Sequence, residues 1–494
     1  MFNKVLIANR GEIAVRIMRT CREMGIHTVA VYSEVDVAAA HVLEADEAIL
    51  LGESEPSKSY LNIDRIIAAA QGTGAEAIHP GYGFLAENPS FAERCEASGI
   101  NFIGPPARVI RDLGNKTFAR RIMETAGVPV IPGMFEATTD LAVLCREADQ
   151  IGYPVLVKAV AGGGGKGMRI VSDPDEMQEA CLSATSEAEK AFGDGSLYLE
   201  KRLDAPRHIE FQILADQHGN VIHLFERECS IQRRHQKIIE ETPSPAMTAS
   251  LRNAMGKAAV SAARASGYIN AGTVEFLLDR SGQFYFLEVN TRLQVEHPVT
   301  EMTIGIDLVA AQLQIAAGSP LTLKQKEITQ RGHAIECRIY AEDPEASFYP
   351  SPGLVLLHRE PSGPGVRNDC GIYEGFEVPV EYDPILSKLI VTASTREEAR
   401  RRMIRALESY AILGIRTTIP FLIDVLGSPE FAEGNTHTDF IDRYFENWTQ
   451  NMEYADLARI AYVLDEFATA RKTSGKSESK GWPTPWETLG NWRL

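Results

Sequence analysis

Two glutamates in the segment 272–290 carry the clearest chemical signal of this sequence. The segment predicts two strands joined by a tight turn at Ser281-Gly282, and this register places Glu275 directly opposite Glu288. Facing carboxylates destabilise a sheet, but a divalent cation such as Mg²⁺ or Mn²⁺ would hold both through hard oxygen ligands. A turn longer by one residue would make the pairing diagonal. The alternative is two solvated glutamates on an exposed strand.

A row of polar side chains follows from the second glutamate. In an extended segment, alternate residues share one face, and from 288 to 296 every residue of that face is charged or carries an amide. The opposite face is mainly apolar, which favours a polar site against a buried wall, although a solvated strand would look similar. The polar face comprises Glu288, Asn290, Arg292, Gln294 and Glu296, and the other comprises Val289, Thr291, Leu293 and Val295.

A glycine run at 162–167 lies between two predicted strands, 153–160 and 168–172. It formally matches G-x-G-x-x-G, but a Rossmann loop leads from a strand into a helix, and a Walker A motif needs Ser or Thr where Gly167 stands. A hairpin tip with bare backbone N–H groups can fold over phosphates, and Lys158 would add a positive charge. The alternative is a flexible surface hairpin.

Basic residues occur at two further places. A short basic cluster, 232–237, follows a predicted strand, and Arg338 lies in the alternating strand 333–341. Together they indicate a binding site for a small anion, although each residue alone is more often a surface charge. His79 and His297, each beside a proline, are predicted to be packed or turn histidines.

The elements that must position these residues fall into four regions. Residues 1–113 alternate short apolar strands with amphipathic helices, which predicts a doubly wound parallel sheet. The second region, 114–203, contains the glycine hairpin, and the third, 204–446, opens with alternating strands. The last, 447–494, has a predicted helix, a polar linker and a Trp-rich tail.

Composition excludes several classes of protein. With 494 residues, 44% apolar and 24% charged, the chain is globular over most of its length, and no apolar run is long enough for a membrane helix. A net charge of −17 disfavours nucleic-acid binding. Seven cysteines without C-x-x-C spacing argue against a disulfide framework and a zinc site. Together with the absence of a secretory signal, these features predict a cytoplasmic α/β enzyme.

The sequence resembles the biotin carboxylase family of ATP-grasp enzymes over about residues 1–446. The motifs that carry the resemblance are IANRGEIAVRI (7–17), HPGYGFLAEN (79–88), KAVAGGGGKGM (158–168), RECSIQRRHQK (227–237) and EVNTRLQVEHPVTE (288–301). The family implies an N-terminal doubly wound lobe, a small mobile lid, a large C-terminal α+β lobe and a homodimer.

The resemblance also implies the site residues. The ATP site would comprise Lys116, Lys158, Gly164, Gly165, Lys166, Glu200, Lys201, Leu203, His208, Gln232, His235 and Leu277. The metal ligands would be Glu275, Glu288 and Asn290. The bicarbonate site would comprise Lys237, Arg292, Gln294, Val295 and Glu296, with Glu296 as base and Arg338 as stabiliser of the biotin enolate. Lys237, Arg292, Glu296 and Arg338 form the catalytic set.

The implied reaction is the ATP- and bicarbonate-dependent carboxylation of biotin through carboxyphosphate, with Mg²⁺ or Mn²⁺. The expected partners are a biotin carboxyl carrier protein and a carboxyltransferase subunit, because the sequence has no Met-Lys-Met biotinylation motif. Neither nucleic acid nor a membrane is an expected partner. Three alternatives remain: an ATP-grasp ligase for another carboxylate, a nicotinamide-dependent oxidoreductase and a non-catalytic subunit. The first turn, Asn9-Arg10-Gly11-Glu12, lacks a dinucleotide fingerprint and disfavours the oxidoreductase.

The tail generates a first prediction. Trp482, Trp486 and Trp492 either pack against their own subunit or help to bind the carrier or carboxyltransferase, since tryptophan is a typical interface anchor. If they bind a partner, truncation after Gly475 should preserve the melting temperature and activity with free biotin but weaken assembly of the complete carboxylase. A much lower melting temperature, or normal assembly in a pull-down with the partner subunits, would contradict partner binding.

Overall fold

The computed structural model describes residues 1–160 and 168–474. The chain divides into two compact units, Met1–Trp448 and Thr449–Leu494. Glycines 164 and 165 and Lys166, predicted for the ATP site, lie outside the described residues, as do the three tail tryptophans.

The N-terminal lobe is built on the predicted parallel sheet, with five strands in the order β3-β2-β1-β4-β5. Alternate residues of β1 enter different cores: Val5 and Ile7 pack with α1, whereas Leu6 packs on the other face. This is the doubly covered sheet typical of parallel topology. The elements are β1 (Lys4–Ile7), α1 (Gly11–Glu23), β2 (His27–Ser33), α2 (Ala40–Glu44), β3 (Glu47–Gly52), α3 (Ile63–Thr73), β4 (Ala77–His79), α4 (Pro89–Ala97), β5 (Asn101–Phe102) and α5 (Ala107–Gly114).

A small domain with its own apolar core follows. Its three-stranded antiparallel sheet has the order β7-β6-β8, and the β6–β7 hairpin flanks the glycine segment as predicted. Helix α6 instead packs in the core of the next sheet. The elements are α6 (Lys116–Thr125), α7 (Leu141–Ile151), β6 (Val155–Ala159), β7 (Met168–Val171), α8 (Met177–Phe192) and β8 (Leu197–Lys201).

An eight-stranded antiparallel sheet dominates the third region, in the order β13-β12-β9-β10-β11-β14-β21-β19. Its first elements are β9 (Arg207–Ala215), β10 (Val221–Arg233), β11 (Gln236–Thr242), α9 (Ala249–Ser266), β12 (Asn270–Leu278), β13 (Phe284–Asn290), α10 (His297–Ile304) and α11 (Leu308–Ala316). Those that follow are β14 (His333–Tyr340), β15 (Glu342–Asp343), β16 (Tyr349–Pro350), β17 (Gly353–Leu354), β18 (Leu357–Arg359), β19 (Val366–Cys370), β20 (Glu377–Val378), β21 (Ile385–Ala393), α12 (Arg396–Ser409), β22 (Ala411–Leu413), α13 (Ile419–Gly427), α14 (Pro429–Ala432) and α15 (Phe440–Tyr444).

The register of the β12–β13 hairpin differs from the prediction in its outer half. Glu275 does face Glu288, as predicted, but Phe276 faces Phe286, because Leu287 forms a bulge between the two pairs. The connection spans residues 279–283, closed by a hydrogen bond of 2.8 Å from the Asp279 N–H to the Gln283 carbonyl. The longer loop and the bulge offset each other, so the facing glutamates keep the predicted register.

The prediction of one extended segment from 288 to 296 is wrong. Strand β13 ends at Asn290, an irregular segment follows, and Glu296 is the N-cap of α10. Pro298 in the first turn of α10 favours a helix start there. The five polar residues therefore converge through a loop and a helix start rather than through a shared strand face.

The second unit contains helix α16 (Ala455–Ser474), close to the helix predicted at 453–471. Among the helices of the described residues, none is both long and apolar enough to cross a membrane. Trp448 ends the first unit, where its ring packs on Phe421 and its indole N–H donates to Asp424 at 2.7 Å.

The buried ion cluster of the large sheet generates a stability prediction. Arg227 has no exposed surface and donates to Glu210, Gln212, Thr273 and Thr300 at 2.5–3.0 Å. Arg227→Ala should lower the free energy of unfolding by about 3–5 kcal/mol, because it removes one of the two cations that pair with the buried Glu210 and also the donor to Gln212, Thr273 and Thr300.

The matched control is Arg405→Ala, since the Arg405 side chain is 83% exposed and pairs with Glu408 on the surface. The free energy of unfolding of this variant should stay within about 0.5 kcal/mol of the wild-type value. Thermal unfolding followed by circular dichroism measures both variants. Equal shifts in the melting temperature would show that the buried pairing is not stabilising.

Candidate active site

The centre of the site is the ammonium group of Lys237, which lies among three carboxylates. Its Nζ donates to Glu210 at 2.5 Å, to Glu275 at 2.7 Å and to Glu296 at 2.7 Å. Lys237 lies on β11, and the three acceptors lie on β9, on β12 and at the start of α10. Burial opposes the charge of Lys237, but these carboxylates raise its pKa well above the usual value.

Glu296 is held from both sides. Its Oε1 accepts from Lys237, and its Oε2 accepts from Arg338 Nη2 at 3.0 Å. Burial would raise the pKa of Glu296, yet Lys237 and Arg338 lower it far below its usual value. Glu296 is therefore ionised at neutral pH.

Arg338, on β14, bridges two carboxylates. Its Nε and Nη2 both lie close to Glu240 Oε1, at 2.6 and 2.5 Å, while Nη2 also reaches Glu296. Burial raises the pKa of Glu240 to about 7, with Arg338 opposing this shift. Glu240 thus fixes the orientation of the guanidinium beside the predicted base.

The loop after β13 brings Arg292 and Gln294 to the same place. Arg292 donates to Glu87 of the N-terminal lobe at 3.0 Å and to the Asn290 amide oxygen at 3.0 Å. Gln294 donates to Glu275 Oε1 at 2.8 Å. The carbonyl of Val295 accepts from Lys388 at 3.1 Å, which fixes the turn before Glu296.

The residues predicted to bind a metal ion form an oxygen-rich group. Glu275 and Glu288 are cross-strand neighbours, and Asn290 donates to Glu275 at 2.8 Å. Burial first, and the Glu275 carboxylate second, raise the pKa of Glu288. Two buried carboxylates that face each other across the hairpin, with the Asn290 side chain beside them, fit a hard divalent cation such as Mg²⁺.

The predicted phosphate lysines lie near this group. Lys158, on β6, donates to the buried Glu200 on β8, which also accepts from Arg120. Lys116 opens α6; burial lowers its pKa, Lys158 acts in the same direction, and Glu288 opposes both. Lys116 therefore lies within electrostatic range of both the second lysine and the predicted metal ligand.

Three other predicted nucleotide residues also come together. Gln232 on β10 contacts His208 Nδ1 at 2.8 Å, and Leu277 on β12 faces His208 in the sheet register. His208 Nε2 lies 2.9 Å from Glu275, which connects these residues to the carboxylate group.

Three predicted nucleotide residues are placed differently. His235 forms the exposed tip of the β10–β11 hairpin with Arg234, both at positive φ. The Lys201 ammonium donates to the carbonyls of Gly152 and Tyr153, so its side chain forms hydrogen bonds within the small domain. Leu203 lies half-buried in the connection between β8 and β9.

Four charged residues of the site were not identified from the sequence: Glu87, Glu210, Arg227 and Glu240. Glu210 and Arg227 occupy buried positions in strands that otherwise read as ordinary alternating segments. A charged residue flanked by strand-forming apolar residues, as in Ile209-Glu210-Phe211, is the signal that could have identified such a position.

Comparison with known proteins agrees with this geometry. Three family profiles match: "Biotin carboxylase, N-terminal domain" at 1–110, "Carbamoyl-phosphate synthase L chain, ATP binding domain" at 115–324 and "Biotin carboxylase C-terminal domain" at 336–443. Biotin carboxylase 2 of Bacillus subtilis is 54% identical over 444 residues, 90% of this chain and all of its own. Biotin carboxylase of Nostoc is 55% identical over 440 residues, 89% of this chain and 98% of its own. The chain belongs to the biotin carboxylase family.

Solved structures give the same result. The biotin carboxylase domain dimer of Hydrogenobacter thermophilus 2-oxoglutarate carboxylase, in complex with MgADP, ADP and bicarbonate, has a TM-score of 0.89 and 49% identity. The match covers 91% of this chain and 99% of the Hydrogenobacter chain. Biotin carboxylase of Campylobacter jejuni has a TM-score of 0.88 and 46% identity, and the match covers 90% of this chain and 99% of the Campylobacter chain. The predicted ATP-grasp fold and the ATP- and bicarbonate-dependent carboxylation of biotin are confirmed for this chain.

The carboxylate pair generates a prediction about the metal. Glu288→Gln removes one of the two predicted carboxylate ligands, so the Mg²⁺ concentration for half-maximal ATP cleavage should rise at least about tenfold. Because the pKa of Glu288 is raised, its ionised form costs stability, and this cost grows as pH rises above the usual carboxyl pKa. In EDTA at pH 8 the variant should therefore melt no lower than the wild type.

The exposed Glu374→Gln is the matched control and should leave the Mg²⁺ titration unchanged. Bicarbonate-dependent ATP cleavage at a series of Mg²⁺ concentrations is the measurement. An unaltered Mg²⁺ titration in Glu288→Gln would remove Glu288 from the ligand set.

Proposed function

We propose that Lys237, Arg292, Glu296 and Arg338 carry out the two chemical steps of biotin carboxylation, with the nucleotide and metal residues positioning ATP. The observation that carries this proposal is the bridging position of Glu296 between Lys237 and Arg338. It joins the predicted base to the predicted anion site and to the predicted enolate stabiliser in one buried group.

The first step is the activation of bicarbonate. The anion would accept hydrogen bonds from Lys237 and Arg292, beside Gln294 and the backbone of Val295. An anion at Lys237 competes with Glu296 for the ammonium group, which relieves part of the pKa depression of Glu296. Glu296 then takes the bicarbonate proton, and the bicarbonate oxygen attacks the γ-phosphorus of ATP to give carboxyphosphate and ADP.

Positioning of ATP rests on residues from the small domain and the large sheet. Lys116, Lys158 and the glycine segment with Lys166 would hold the phosphates. Glu200, Lys201, Leu203, His208, Gln232, His235 and Leu277 would surround the rest of the nucleotide. Glu275, Glu288 and Asn290 would hold Mg²⁺, which neutralises negative charge on the phosphates and orients them for in-line transfer.

The second step transfers the carboxyl group to biotin. Carboxyphosphate releases CO₂ and phosphate, and the phosphate takes the N1 proton of biotin. Arg338 donates to the enolate oxygen that forms, while Glu240 keeps the guanidinium in place. The N1 nitrogen then attacks CO₂ to give carboxybiotin.

We also propose the partners and the setting. The biotin would be carried by a separate carrier protein, and a carboxyltransferase subunit would choose the final acceptor, which these residues do not specify. The chain would act as a homodimer, in the manner of the biotin carboxylase domain dimer of the Hydrogenobacter protein. All seven cysteines lie in the described part of the chain as free thiols, which supports a reducing, cytoplasmic setting. The division at 113, 203 and 446 remains our proposal for the domain boundaries.

Two variants test the residue roles. Glu296→Ala should reduce bicarbonate-dependent ATP cleavage and biotin carboxylation alike, by roughly 10²–10⁴-fold, because it removes the base of the first step. Arg338→Ala should reduce carboxylation of free biotin at least about tenfold more than ATP cleavage, because the enolate forms only in the second step.

Both activities are measured on the same preparations, as ADP release and as carboxybiotin formed, with the surface variant Arg405→Ala as control. If Arg338→Ala also loses the two activities in equal proportion, the division of roles between Glu296 and Arg338 is wrong.

A further inference from the structure

Three side chains of metal-ligating types converge between β18 and β19, outside the set of predicted site residues. His358 lies on β18, Glu360 directly follows that strand, and Cys370 ends β19. One nitrogen, one carboxylate oxygen and the sulfur lie within 4.8 Å of one another. The sequence did not reveal the group, because its members come from two strands and lack C-x-x-C spacing.

We propose that His358, Glu360 and Cys370 bind a borderline-soft divalent cation of the Zn²⁺ class. The Cys370 Sγ and His358 Nε2 atoms lie 3.7 Å apart. Tetrahedral zinc with Zn–S of about 2.3 Å and Zn–N of about 2.0–2.1 Å places such ligand atoms about 3.6 Å apart. One thiolate and one carboxylate also balance the charge of a dication.

Surrounding polar groups already orient these ligands. Asn368 Nδ2 donates to Glu360 Oε2 at 2.9 Å and to the Tyr410 hydroxyl at 3.1 Å. The Tyr410 oxygen lies 3.3 Å from His358 Nε2 and 2.9 Å from the Ser387 hydroxyl. The hydrogen bond from Asn368 to Glu360 is of the kind that orients ligands in protein metal sites, whereas an ion at His358 Nε2 would displace the contact of that nitrogen with Tyr410. Since Glu360 is exposed and His358 half-buried, the ion reaches the group from solvent and a water completes its coordination.

This group is separate from the predicted Mg²⁺ ligands. Cys370 ends the strand at one edge of the eight-stranded sheet, and Glu288 lies in the strand at the opposite edge. Seven strand spacings along the sheet separate these two strands. A sulfur ligand favours zinc-like ions over Mg²⁺, so a large excess of Mg²⁺ would leave the group free to bind them.

The test uses Co²⁺ as a probe on the full chain in excess Mg²⁺, because a cysteine ligand gives an intense thiolate-to-Co²⁺ absorption band that oxygen ligands cannot give. We expect one equivalent of Co²⁺ to produce this band and Zn²⁺ to abolish it. Cys370→Ser should lose the band, and Glu360→Gln, at an exposed position that does not endanger folding, should weaken Co²⁺ binding about tenfold.

Two further variants separate this group from other thiols. Cys145→Ser is the matched control, since Cys145 is half-buried in the small domain, and Cys229→Ser reports on the thiol near Glu210 and Glu296. Both should keep the band, and Cys370→Ser should carboxylate free biotin at the wild-type rate. Absence of the band in the wild type, its persistence in Cys370→Ser or its loss in Cys229→Ser would each overturn the proposal.

Discussion

The ammonium group of Lys237 and its three buried carboxylates are the interaction on which the site depends. A buried charge is tolerated only when it is paired, so Glu210, Glu275 and Glu296 must all approach one nitrogen. They come from β9, β12 and the start of α10, and the sheet order fixes how far each lies from β11. The same group connects the predicted metal ligands, through Glu275, to the predicted base. Bicarbonate therefore would enter a set of charges that is already balanced, and its negative charge would have to displace one of the carboxylates from Lys237.

A second buried ion group links the small domain to the rest of the protein. Glu200 of the small-domain sheet accepts from Lys158 of the same sheet and from Arg120 of α6. Helix α6 packs on the large sheet, so this one carboxylate joins the predicted phosphate lysine to the main body. The residues that would hold ATP are thus tied electrostatically to the sheet that holds Lys237.

Local patterns in the sequence predicted the strands and the pairing of Glu275 with Glu288 because alternation and turn residues act over short distances. They could not predict the bulge at Leu287, since the extra residue depends on packing against a neighbouring strand. The loop after Asn290 was misread as a strand because alternation alone cannot tell a strand from a segment that turns into a helix. The approach of Glu210 and Glu275 to Lys237 results from pairing between strands, which no single segment encodes. The role predicted for Lys237 came from the resemblance to a known family rather than from spacing, and the resemblance assigned no role to Glu210 or Glu240.

The β10–β11 hairpin, with Arg234 and His235 at its two-residue tip, carries a consequence for how this protein can vary. Side chains alternate between the faces of a strand, so inserting or deleting one residue at the tip would shift the register of β11 and turn Lys237 to the opposite face. The tip can exchange side chains, but a change of its length by one residue would remove the ammonium group from the carboxylates. In the β12–β13 hairpin, the bulge at Leu287 already offsets the longer connection, so the facing glutamates keep their register. Changes of one residue in the length of the β10–β11 tip should therefore be absent among active descendants of this chain.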